Sequence, residues 1–407
     1  MKSVLKGLFL HVLGNVIIKI FILKEIGFLI SLLGLFLIIR ALLFSKKIKP
    51  FRGLQKNLFY LLFLTYFIMI VRGYLIDYQF VWIRFEGFLN YHLVDQLYIL
   101  PYFLPLLLFI KLDKNVLKVI FKTNQLINLI FITVSILSIN NIISQTVLLY
   151  SGETQSRLLV NDIFTIYSSI AFFVLLKNYI PKNLWFLNIT SFLIFFVLAI
   201  LSGRRGPSLS GLFLIVGIIF FIFPHKLKKI KFMAFTFLIL IIAYLAFVVK
   251  DNFIFNYLLN ERGFENNRTL IDESMLQQMT QIELFFGKGL NGRYYLPLLD
   301  DDYLGGWRYG SETGFYNLVL KGGYFLAFLY VFILLISVYK GFFKSKNDLS
   351  KIFAFYILLS VIELYPFGWP EFTFKFIFIW FGALLCSNNY FLKLRDYQIK
   401  SFVKTNT

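Results

Sequence analysis

The chain has 407 residues, 59% of them hydrophobic, 52 of them phenylalanine, with a mean hydropathy of +0.75; this is far more apolar than a soluble domain. Apolar runs of about twenty residues, each able to cross a hydrocarbon core of roughly 30 Å, indicate an all-α polytopic membrane protein, because a β-barrel would alternate in polarity. The formal charge of +20 is spread over short links between those runs, a distribution that argues for membrane lipids and against nucleic acid as a partner.

In chain order the predicted spans are 4–23, 26–44, 57–74, 94–112, 121–141, 160–177, 184–201, 207–224, 232–249, 313–338, 352–367 and 372–391, twelve in all. Only Lys24 and Glu25 separate the first two runs, and Lys6, His11 and Lys19 weaken the first, so an interfacial helix is its alternative. Lys19 interrupts the first run and no small-residue cleavage site follows it, so it reads as a retained span rather than a signal peptide. The chain divides into helices 1–9 over residues 1–249, a polar loop over 250–312, and helices 10–12 with a basic tail over 313–407.

The basic residues orient the stack. The links 45–56, 111–122, 177–182, 225–231 and 340–351 and both termini hold 25 Lys and Arg, which places them and both termini in the cytoplasm by the positive-inside rule. The intervals 74–93, 144–160, 202–206, 250–312 and 368–371 then face out. Of the 25 inner residues only Arg52 and Arg395 are arginine, whereas Arg72, Arg84, Arg157, Arg204, Arg205, Arg262, Arg268, Arg293 and Arg308 lie at the outer side. A guanidinium binds two phosphate oxygens at once and stays charged, so an outer cavity lined with arginine suits a lipid-linked phosphate or diphosphate. Headgroup contact or pairing with nearby acids is the plainer alternative for each arginine.

The hinge Ser202-Gly-Arg-Arg-Gly-Pro207 sets Arg204 and Arg205 beside a helix N-terminus, where an anion would be held. In the long loop, residues 267–286 have helical spacing, with Asn267 or Thr269 as cap and Leu270, Met275, Met279, Ile282 and Phe286 near one face; this helix would lie along the membrane surface and present Arg268, while its apolar stripe reads as core packing within an outer cap. Gly287-Lys-Gly-Leu-Asn-Gly292 has the letters of a dinucleotide fingerprint without the strand and βαβ unit that would give it meaning, and reads instead as a flexible turn returning Arg293 to the membrane. Asp300, Asp301 and Asp302 read as a solvated acidic turn. Glu312 falls at the outer end of a span with Arg308 one turn before it, either as a general base towards a sugar hydroxyl or as an ion pair closing the helix start. Lys321 lies deeper and needs a polar cavity or a partner. Of the loop aromatics, Trp307 is the candidate sugar contact, the others suiting the membrane interface. One cysteine, Cys386, and three distant histidines, His11, His92 and His225, leave no expected metal site or cofactor.

The twelve-span plan, the large loop before the last spans, Ser202-Gly-Arg-Arg-Gly206, Gly287-Lys-Gly289 and the Glu312, Asn317, Gly322-Gly323 run together resemble the O-antigen polymerase and ligase superfamily of bacterial envelopes. Ligases of that superfamily carry a histidine where this chain has Glu312 and Thr313, a departure that favours a repeat-unit polymerase. The resemblance implies a metal-independent glycosyltransferase of the inner membrane. It would join undecaprenyl-diphosphate-linked oligosaccharides on the periplasmic face, for O-antigen, capsule or exopolysaccharide, with a chain-length regulator and a flippase as further partners. It assigns Arg204, Arg205 and Arg268 to the diphosphate, with Arg293 and Arg308 as further candidates, and Glu312 as base. A ligase would share the arginines. A flippase or exporter would need two similar halves and mid-membrane charges, and the chain shows neither pattern.

Overall fold

The computed structural model describes residues 2–20, 24–44, 54–76, 99–109, 114–137, 139, 171–201, 205–222, 267–297, 306–311, 313–365 and 370–404. These are mostly helical. Helix α1 (Lys2–Ile20) and α2 (Lys24–Phe44) form a hairpin, followed by α3 (Leu54–Ile76), a 3-10 helix at 100–109, α4 (Lys114–Leu137), a short 3-10 turn at 171–176, α5 (Lys182–Leu201) and α6 (Arg205–Ile222). The loop contributes α7 (Asn267–Gln277), α8 (Gln281–Phe286) and the two-residue strands β1 (Tyr294–Tyr295) and β2 (Trp307–Arg308). The chain then closes with α9 (Gly314–Tyr339), α10 (Asp348–Glu363), α11 (Phe374–Ser387), α12 (Asn389–Lys393) and α13 (Asp396–Lys404).

Helices α9, α10 and α11 form the centre. Every residue of α11 except Lys375 is buried, as expected of a helix that is apolar all round and packed on all sides. Aromatic edges fill the space between elements: Trp380 meets Tyr330 at 5.5 Å and Phe59 at 6.4 Å, and Phe172 stacks on Tyr356 at 4.1 Å. Between α4 and α5 the glue is polar. The Asn188 side-chain oxygen accepts from the amides of Asn124 (2.9 Å) and Asn128 (2.8 Å), all three being buried. In the α1–α2 hairpin the backbones meet at glycines: a methyl on Gly14 would stand 2.5 Å from the Gly27 carbonyl oxygen. His11 and Ser31 share a hydrogen bond there at 2.7 Å.

Four helices among the described residues are long and apolar enough to cross a membrane: Leu54–Leu75, Val116–Leu137, Lys182–Ala199 and the α9 run Gly314–Lys344, with Ser208–Ile222 and Phe374–Ser387 shorter. That is fewer than the twelve predicted. The run 94–112 is a 3-10 helix over 100–109, and Pro105 inside it lacks the amide that an α-helix would use there. Residues 372–391 break after Ser387 because the Asn388 side chain caps the amides of Tyr390 and Phe391. The predicted span 232–249 lies outside the described residues.

Helices cross the bundle in both directions, so it has two ends. The starts of α6, α9 and α11 and the ends of α3 and α10 share one of them, here the loop end. At the other, the lysine end, Lys340 donates to Gln55 (2.7 Å) and Gln55 to Ser387 (3.0 Å). The lysine end is closed by a clasp. The side chain of Asn347 caps α10 through Ser350 and donates to the carbonyls of Phe391 (2.8 Å) and Leu394 (3.0 Å). Tyr179 donates to Asp396 and accepts from the amide of Leu349 (2.9 Å), while Asp396 also accepts from the amide of Asp348 (2.9 Å). Burial, then the hydrogen bond to Asp396 and the charges of Asp396 and Asp348, hold the Tyr179 hydroxyl far above its ordinary range. Its contribution is therefore full below about pH 10, where a free tyrosine begins to ionise, and declines above it. Replacing Tyr179 with Phe should cost about 2 kcal/mol and hasten tryptic release of the tail beyond Lys393, which a time course on purified protein would read.

Candidate functional site

The loop end is built on the start of α9. Asn317 folds back across the preceding turn: its side-chain oxygen accepts from the amide of Ser311 (2.8 Å) and its nitrogen donates to the carbonyls of Ser311 (2.5 Å) and Thr313 (3.3 Å). Beneath it, the buried carboxylate of Asp272, on α7, accepts from the hydroxyls of Ser311 and Thr313, the latter at 3.2 Å to both oxygens. Asp272 also faces the N-terminus of α9, where a negative charge is favoured. The two residues flanking Glu312 are thus held by five side-chain hydrogen bonds or more, while Glu312 itself lies outside the described residues.

Above this clasp stands a hairpin. Strands β1 and β2 pair antiparallel, with Tyr294 opposite Arg308 and Tyr295 opposite Trp307. Gln278, beyond the end of α7, ties the hairpin down by accepting from the amide of Tyr295 (2.8 Å) and donating to its carbonyl (2.8 Å). Side chains alternate along a strand, so the hairpin has two faces. One carries Arg293, whose guanidinium lies 4.4 Å over the Trp307 ring and donates to the Tyr309 hydroxyl (3.2 Å), with Tyr295 edge-on to Trp307. The other carries Arg308 beside the fully buried Tyr294, whose hydroxyl donates to the Gly310 carbonyl (3.1 Å). The structure brings Arg293, a diphosphate candidate, onto Trp307, the candidate sugar contact, and turns Arg308 to the opposite face.

Two expectations for the loop are corrected. Residues 267–286 form two helices rather than one, because Thr280 and Glu283 make a capping box that starts α8 afresh. The expected single face is divided in consequence: Met275 and Met279 are buried while Leu270 and Ile282 are exposed. Nor is Gly287–Gly292 a flexible turn. It is wedged between α3 and a break in α9 at Gly323, whose φ of 72° no helix continues through. The break frees the carbonyls of Leu320 and Lys321, which an unbroken helix would give to Tyr324 and Phe325. They accept instead from the amides of Lys288 (2.7 Å) and Gly289 (2.9 Å). On the far side Leu290 donates to the Met69 carbonyl (3.0 Å) and Asn291 to that of Gly73 (3.2 Å). The Lys321 ammonium donates to the Gly292 carbonyl (3.1 Å), which supplies the partner its position requires.

Sequence reasoning missed the pair Glu363 and Lys375. Glu363 ends α10 and Lys375 lies in the first turn of α11; their charges meet at 2.6 Å, largely buried, and the Ser210 hydroxyl donates to the same carboxylate. The signal was present: opposite charges near the facing ends of consecutive predicted spans, where an ionisable group needs a partner. This pair joins the parts of the site. Ser210 stands little more than one turn after Arg205, which opens α6, and Leu364 accepts from the amide of Phe315 (2.9 Å), three residues after Glu312. Arg268 is the second residue of α7, the helix that carries Asp272. Arg204 and the acidic turn Asp300–Asp302 lie outside the described residues. Among the described residues no group of three or more His, Cys, Asp or Glu could hold a metal ion.

No protein-family model matches the chain, no curated protein is similar to it, and no solved structure matches it.

Proposed function

We propose that the chain is a membrane glycosyltransferase of the O-antigen polymerase type, about twelve spans with both termini in the cytoplasm of a bacterial inner membrane. It would join undecaprenyl-diphosphate-linked repeat units at the loop end, facing the periplasm. The observation that carries this reading is the joining of Arg205, Arg268, Arg293 and Arg308 to one scaffold around the residues that flank Glu312. Asp272, Gln278 and the Glu363–Lys375 pair do the joining.

In the proposed reaction the acceptor sugar hydroxyl gives its proton to the Glu312 carboxylate and forms a bond to the anomeric carbon of the donor. The bond from that carbon to the lipid diphosphate breaks, and the departing diphosphate takes the negative charge. Arg204, Arg205, Arg268 and Arg308 stabilise that charge where other enzymes use a divalent ion. Arg293 already rests on Trp307 and faces away from Arg308, so we assign this pair to the glycan, as a stacking platform.

The test is complementation of a cell lacking the gene, with surface glycan resolved on a gel. Arg308→Ala and Glu312→Gln should each abolish the ladder and leave single repeat units on the lipid core. Trp307→Ala should only weaken it, by roughly tenfold or less, since one stacked ring contributes about 0.5–1.5 kcal/mol. Polymer accumulating on its carrier would instead mark a ligase, and single units held on the inner leaflet an exporter.

A further inference from the structure

Helix α8 is built to hide its polarity. Its only charge, Glu283, is folded back on the helix start, where the carboxylate accepts from the Thr280 amide (2.9 Å) and hydroxyl (3.1 Å). What remains outside is apolar: Ile282 is 68% exposed, Phe285 50% and Phe286 49%. In water, three such side chains on a six-residue helix would be an unusual liability.

The position of α8 explains them. It packs along α9, with Phe285 and Phe286 against Phe325, and the Phe285 carbonyl lies at the Gly323 break. Residues 322–339 of α9 contain no charged side chain, and 18 residues rise about 27 Å, close to the thickness of a hydrocarbon core. Lys321 bounds that run at the loop end and Lys340 at the other. Gly323, and α8 with it, therefore sits at the boundary of the apolar layer. Along α9 Phe328, Phe332 and Leu335 are exposed, and Phe325, which Phe285 and Phe286 contact, stands one turn before Phe328.

We propose that α8 is an interfacial membrane anchor, with Ile282, Phe285 and Phe286 inserted among the acyl chains of the leaflet at the loop end. The occupant of this face is membrane lipid. The anchor holds the hairpin and the clasp of Asp272 at a fixed height over the bilayer, and it stands whether or not the chain is a glycosyltransferase.

Single spin labels test the proposal in protein reconstituted into phosphatidylethanolamine–phosphatidylglycerol vesicles, since the buried Cys386 leaves no competing reactive thiol. Ile282→Cys is the main site; Phe286→Cys is a second, should one substitution disturb folding. Phe328→Cys is the lipid-facing reference, and Gln277→Cys, at the exposed end of α7, the aqueous one. The expected result is an oxygen-to-nickel accessibility ratio at 282 and 286 raised to that of position 328 and well above that of 277. A ratio equal to that of 277 would overturn the proposal, because the face would then meet water. So would a label shielded from both reagents, because the face would then be covered by protein.

Discussion

Replacement of Glu363 by alanine should be among the most damaging single changes in the chain, costing about 3–5 kcal/mol. The carboxylate lies 2.6 Å from the Lys375 ammonium with 8% of its side chain exposed, and its removal strands a cation inside the bundle together with the Ser210 hydroxyl. Lys375→Ala should cost a similar amount for the opposite reason. The informative experiment is the double change Glu363→Leu with Lys375→Met, which removes both charges and keeps the volume. Its thermal midpoint in detergent should return most of the way to the parent value, because the desolvation penalty of two ions disappears with their attraction. If activity stays lost in the stable double variant, the pair does more than hold helices: it aligns Arg205 on α6 with the start of α9. Full activity there would reduce it to a structural tie.

Alanine at Gly323 should cost about 2–5 kcal/mol, from a backbone angle that L-residues avoid and a methyl group that overlaps the Phe285 carbonyl. The added atom meets backbone on both the Phe285 and Phe286 side, so no rotation of a side chain relieves it. Gly211→Ala offers the comparison within the same bundle. Its helix is regular, and the new methyl meets only the ring of Phe196, which can turn aside. Size-exclusion profiles and thermal midpoints should show a large loss at 323 and a smaller one at 211; equal losses would mean that α9 tolerates continuity at its break.

The apolar character, the helical class and the separation of lysine from arginine between two ends were legible because each rests on composition along the chain, which needs no knowledge of partners. Lys56, at the start of α3, and Lys182, at the start of α5, fall at the lysine end, whereas Arg72, near the end of α3, and Arg205, at the start of α6, fall at the loop end. Helix boundaries were less legible where a local hydrogen bond overrode a long apolar run, as at Asn388, or where proline replaced α geometry by 3-10, as at 100–109. In the candidate site, Arg293 and Trp307 were singled out for separate roles, and nothing in the sequence announced that one would lie over the other. Whether Arg308 shares a face with Arg293 depends on strand register, which the fifteen residues from Arg293 to Trp307 do not specify by themselves. Asp272 was invisible because its role comes from residues some forty positions away. Gly287 and Gly289 were noticed for their freedom, yet they are used for tight approach: positive φ at both lets the wedge press on α3 and α9.

The wedge also dictates an order of assembly. Leu290 and Asn291 bond to Met69 and Gly73, more than two hundred residues earlier, while their neighbours Lys288 and Gly289 bond to Leu320 and Lys321, which are synthesised later. A nascent chain can settle the first helices and still hold no finished cap at the loop end, because the seat for residues 287–292 exists only once both flanks have entered the bilayer. Truncations ending before position 323 should therefore insert yet leave the 267–297 segment unseated, a natural substrate for the proteases that survey newly made membrane proteins.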